Sequence, residues 1–228
     1  MDLWSIYTKL NSTLTGRDSI FRLIQYSSHL VHYVLKDFNS NINTMNKLKN
    51  MESSFSLARK FLRLFRVFEV LDKAIASLSI PDTVIQATTS LSYINTCLYY
   101  LSDHMVWLGK TGIHEVNNQK WSKLNNKFWF ITVIMNVTKL IYELRNIISK
   151  ELSHSMLNVG CDFSPSLTTK LIKIIIVHRF LFFDLLKNLC DLLVILTFLG
   201  HIELHGRTIG LLGIISSIIT IVFVFKKG

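Results

Sequence analysis

Two prolines, Pro81 and Pro165, and nine glycines are all that interrupt 228 residues. So few breaks argue against a turn-rich β architecture and favour long helices. Cysteine is equally sparse: Cys97, Cys161 and Cys190 are odd in number and far apart. They make no metal motif and no disulfide framework, and read as structural thiols of a reducing compartment. Charge is scarce as well. Only 18% of residues are charged, against about a quarter in an ordinary soluble domain. Acidic residues are the scarcer sign, 15 against 25 basic, for a formal net charge of +10. Half of the chain is hydrophobic and its mean hydropathy is positive. A basic, apolar chain fits an anionic lipid surface before a nucleic acid.

Signatures of catalysis are missing too. The sequence has no glycine-rich phosphate loop, and no serine or cysteine in a recognisable nucleophile context. "HIELH" sets His201 and His205 four apart but lacks the glutamate placement of the metalloprotease helix. These two read as polar caps beside an apolar segment, and His29 and His32 as an isolated pair. No catalytic, cofactor or metal site is assigned, and the chain reads as a non-enzyme. The first twenty residues form no apolar core of a secretory signal, because Asp2, Lys9, Arg17 and Asp18 break them.

What is present is helical periodicity. In "LARKFLRLFRVFEVLDKAI", Leu57, Phe61, Leu64, Phe68, Leu71 and Ile75 step by 4, 3, 4, 3 and 4, and Phe65 widens their face. That is one side of an α-helix, with Arg59, Lys60, Arg63 and Arg66 off it. The spacing predicts a helix over about 51–78, stopped by Pro81. Before it, a short helix, a turn near Gly16 and a helix over about 17–38 lead into "NSNINTMNKLKN". That stretch holds five asparagines and reads as a loop. Further helices are expected over about 82–108 and 121–152. A spacer covers 153–169.

The remainder is far more apolar. "LIKIIIVHRFLFFDLLKNLCDLLVILTFLG" reads as a helix whose Asp184, Lys187 and Asp191 form one internally paired stripe. "TIGLLGIISSIITIVFVF", 208–225, carries no charge. At 1.5 Å per residue it reaches roughly 27 Å, close to the hydrocarbon core of a bilayer. Gly206, Gly210, Gly213 and Ser217 step by 4, 3 and 4 along it, a small-residue face for helix packing in lipid. Lys226 and Lys227 bias the C-terminus toward the cytosol. Polar residues at Gln86, Asn95, Asp103 and His104 make 84–108 a poor lipid-exposed span, and it reads as a bundle or amphipathic helix.

The fold class expected is all-α: a membrane-associated helical protein with amphipathic helices and a C-terminal transmembrane helix. Its parts are an N-terminal amphipathic-helix region (1–80), a central helical region (81–152), the loop 153–169, and a C-terminal membrane region (170–228).

Several stretches in order carry a resemblance: "GRDSIFRLIQY" (16–26), "KLKNMESSFSLARKFLRLFR" (47–66), "DHMVWLGKTGI" (103–113), "KWSKLNNKFWFITVIMN" (120–136) and "KNLCDLLVILTFLGHIELHGRTIGLLGIISS" (187–217). From Gly16 to Ser217 the chain resembles the peroxin-eleven family, peroxisomal membrane proteins that elongate and divide peroxisomes. It departs at the asparagine-rich stretch and at 153–169. The resemblance implies residence in the peroxisomal membrane, homo-oligomers, and recruitment of a fission adaptor and a dynamin-like GTPase. It also implies a leaflet-bending amphipathic helix within 47–78. The inserting face is then Leu57, Phe61, Leu64, Phe65, Phe68, Leu71 and Ile75. Lipid head groups would meet Arg59, Lys60, Arg63 and Arg66. Some family members have been proposed to conduct small metabolites, so a pore lined by Asp103, Asp184, Lys187 and Asp191 is the alternative. The terminal Lys226-Lys227-Gly228 is not the soluble peroxisomal address.

Overall fold

The computed structural model describes residues 2–38, 41–157 and 174–226. Their regular elements are helices: α1 (Leu3–Ser12), α2 (Leu14–Asp37), α3 (Ile42–Leu62), α4 (Arg66–Ser77), α5 (Thr83–Lys110), α6 (Asn118–Leu157), α7 (Arg179–Leu199) and α8 (Gly206–Lys226). Most of the expected spacer, with Cys161 and Pro165, lies outside the described residues; the part at 153–157 continues α6.

Local chemistry sets the boundaries. Thr13 caps α2, its hydroxyl accepting from the Gly16 amide at 3.0 Å. The turn therefore falls at Thr13, just before the expected place. Gly16 itself packs against the last turn of α1, where an added Cβ would lie 2.0 Å from the Leu10 carbonyl oxygen. Asp82, directly after Pro81, caps α5 by accepting from the Val84 and Ile85 amides at 2.9 and 3.1 Å. Gly200, at φ 80°, ends α7 in the left-handed conformation that glycine adopts freely.

Two expectations are corrected. The asparagine-rich stretch is helical from Ile42 onward, with Asn41 as its cap, accepting from the Asn43 amide at 2.9 Å. Its packed residues, Met45, Leu48, Glu52 and Phe55, continue at helical spacing. Phe55 meets the Phe21 ring edge-on at 5.4 Å between centroids, and Glu52 meets His29 at 3.0 Å. Asparagine's modest helix penalty loses to that tertiary packing. Second, the helix expected over 51–78 is two helices. Phe65 stands at φ 66° between them, and no glycine or proline in the sequence announces the break.

The helices pack most extensively as α5 on α6, which follow one another, and α2 on α8, which are far apart in the chain. The contacts α2–α3, α3–α5, α5–α6, α6–α7, α7–α8 and α8–α2 close a ring of six helices. α4 lies outside the ring along α5, with Val70, Ala74 and Ser77 on its buried side.

Candidate membrane surface and buried charge cluster

Residues 57–78 divide into an apolar and a basic side across the break at Phe65, but the basic side faces inward. Phe61, Phe65, Phe68, Leu71 and Ile75 are exposed, Phe65 and Phe68 at 76% and 67%, and Leu78 joins them. Leu57 and Leu64 are half-buried. The cations point inward. Arg59 donates to Asp18 at 3.0 Å and to Gln25 at 2.8 Å. Arg63 bridges Asp18 at 3.1 Å and Asp103 at 2.9 Å, and donates to the Tyr99 hydroxyl at 2.7 Å. Lys60 pairs with Asp103, whose side chain has no exposed surface. Arg66 lies over the Tyr100 ring at 5.7 Å, 3.5 Å from Glu69. This corrects the expectation of head-group contact for Arg59, Lys60 and Arg63. Their partners come from α2 and α5, and buried charges require such partners.

Burial alone would raise the carboxyl pKa of Asp18, but the flanking Arg59 and Arg63 hold it well below the usual range. Burial pulls the Lys60 ammonium down, against the attraction of Asp103.

A second link crosses the ring. Arg22 of α2 pairs with Asp191 of α7, which also accepts from Ser216 of α8 at 2.7 Å. Asp184 and Lys187 pair at 3.1 Å, but Asp191 is turned away from them, which corrects the single internally paired stripe. The four residues considered for a pore lining are thus divided: Asp103 and Asp191 lie in buried ion pairs, whereas Asp184 and Lys187 flank a different, more apolar cavity. Sequence reasoning missed Asp18, Gln25 and Tyr99. The only available signal was Asp103, an acid in an otherwise weakly charged helix.

On α8 the small-residue face is occupied from within the chain. A Cβ on Gly206 or Gly213 would reach 2.5 or 2.2 Å from the rings of Tyr33 or Tyr26, and one on Gly210 would lie 3.0 Å from the Leu30 Cα. Ser217 is buried and donates to the Gly213 carbonyl at 2.6 Å. The opposite face of α8 exposes Leu211, Ile215, Ile218 and Val222, stepping by 4, 3 and 4. α5 does the same with Leu91, Ile94, Leu98 and Leu101. Among the described residues, α8 is the one helix long and apolar enough to cross a membrane.

Charge gathered inside and hydrocarbon displayed outside reverse the usual soluble pattern. They define the class: an all-α, membrane-associated bundle with a C-terminal helix of transmembrane character. The model of the family "Peroxisomal biogenesis factor 11 (PEX11)" matches residues 5–224, and the chain belongs to that family. It is similar to peroxisomal membrane protein 11B of Pongo abelii, 26% identical with 97% of this chain and 95% of that protein covered. It is also similar to peroxisomal membrane protein 11A of Bos taurus, 28% identical with 96% and 95% covered. Peroxisomal membrane protein PMP30A of Candida boidinii is 28% identical, with 95% and 93% covered. No solved structure matches the chain. Membership places the chain among the peroxisomal membrane proteins of peroxisome biogenesis.

Proposed function

We propose that the chain remodels and elongates the peroxisomal membrane by inserting α4 and the α3–α4 corner into one leaflet. The observation that carries this reading is the outward face of Phe61, Phe65, Phe68, Leu71, Ile75 and Leu78, backed by cations turned inward. Full burial of six such side chains in lipid is worth at most roughly 9–18 kcal/mol, at about 1.5–3 each. A helix lying about 5–10 Å deep expands one leaflet relative to the other and so favours curvature. α8 anchors the bundle, with Lys226 and Lys227 on the cytosolic side. Self-association would concentrate the wedges, and a fission adaptor with a dynamin-like GTPase would complete division, as the resemblance implies. The net charge of +10 favours an anionic surface.

The test is tubulation of anionic vesicles carrying the full-length protein. Phe68→Glu with Ile75→Glu removes tubulation while the helix content by circular dichroism stays unchanged, because neither side chain is in the core. Loss of folded protein from this pair would instead make α4 a core helix. A pore would pass solute through the same vesicles without altering their shape.

A further inference from the structure

Between α2, α3, α5, α6 and α7 lies a cavity of about 260 Å³. Its wall carries Arg22, Arg59, Lys60 and Arg63 but one carboxylate, Asp18. Counting the acids behind the wall, Asp103 and Asp191, the cluster holds four cations against three carboxylates among the described residues. All four cationic side chains are at least 85% buried, the most exposed being Lys60 at 15%. One positive charge is therefore in excess where water screens weakly, and such an excess attracts an anion far more strongly than a surface charge does. The lowered Lys60 points the same way, since its single carboxylate does not offset burial.

The donors also suit a particular anion. Guanidinium groups bind tetrahedral oxyanions through paired N–H donors, and an ammonium adds a compact charge. Arg22 comes from α2 and Arg59 and Lys60 from α3, so one ligand would be gripped from two helices. Asn126 and Thr132 of α6 add neutral hydrogen-bonding groups, and Tyr99 and Trp129 add ring surface. Cores of helical bundles are where ligands are commonly held by side chains of facing helices. We propose that this cavity is a binding site for a small phosphate-bearing anion, held by Arg22, Arg59 and Lys60. Its occupancy would brace α3, and with it the α3–α4 corner, against α2.

The experiment follows thermal unfolding of the full-length protein in neutral detergent. Inorganic phosphate is compared with sodium chloride at equal ionic strength, and a parallel arm uses dilute short-chain phosphatidic acid. Saturating phosphate raises the unfolding midpoint by roughly 2–4 °C. Gln25→Glu keeps the side-chain shape and gives Arg59 a carboxylate of its own. It unfolds at a higher midpoint without phosphate and loses the phosphate response. Arg59→Gln removes the excess charge from the other side and loses the response too, which keeps the comparison intact if Gln25→Glu does not fold. A rise with phosphatidic acid alone assigns the phosphate to a lipid head group. Equal rises in the native protein and in both variants reveal a general solvent effect and overturn the site, as does no rise with either probe.

Discussion

The α3–α4 corner and α8 both present apolar side chains outward, but they differ in what stands behind them. α8 is backed by Gly206, Gly210 and Gly213 against Tyr33, Leu30 and Tyr26 of α2. The corner is backed by arginines and a lysine, held by aspartates of α2 and α5. A small-residue backing lets two backbones approach and needs no other partner. A charged backing is tolerated only where opposite charge is supplied from distant sequence. The first kind of outward apolar surface is visible in a single segment. The second exists only in the folded chain.

Removing the charge behind the corner gives the largest effect. Asp103→Asn leaves Lys60 and Arg63 short of a partner inside the ring and costs about 3–5 kcal/mol, read as loss of folded protein or a sharply lowered unfolding midpoint. Overfilling the back of α8 comes next. Gly213→Leu drives a side chain into the Tyr26 ring and costs about 1–3 kcal/mol, with insertion of α8 retained and the α2–α8 contact, followed by crosslinking, weakened. An equal cost for the two substitutions would erase the distinction drawn between the backings.

Acid gives the smallest effect. The pKa of Asp18 is depressed in the folded chain, so its stabilisation is complete above the ordinary aspartate pKa, about 3.9, and declines as pH falls toward the folded value. Unfolding midpoints should therefore be flat in Asp18's contribution near neutrality and fall below about pH 4. Asp18→Asn removes part of that decline.

These contrasts explain what was legible in the sequence. The terminal span could be read because an uncharged run of apolar residues needs no other information. The grouping of Phe61, Phe68, Leu71 and Ile75 on one exposed side could be read because their spacing is local, whereas Leu57 and Leu64 of the same stripe are half-buried. The helix through the asparagines could not, since Met45, Leu48 and Phe55 are identified as a packed face only once α2 lies beside them. Nor could the break at Phe65, where a bulky residue takes a left-handed conformation that its chemistry disfavours. The arginines were misread for the same reason: basic residues opposite an apolar stripe suggest lipid head groups unless Asp18 and Asp103, 41 and 43 residues from Arg59 and Lys60, are known to be adjacent.

The length of α6 has a consequence of its own. Its 40 residues make a rod of roughly 60 Å, about twice the hydrocarbon thickness of a bilayer. Stood upright in a bilayer, it projects half its length into the aqueous phase; laid flat, it spreads the bundle's footprint along the membrane surface. Either pose carries Lys150 and Glu151 beyond Tyr142, whose hydroxyl donates to Asp82 at the start of α5. The bundle thus has an outrigger, the last turns of α6 running on past the start of α5.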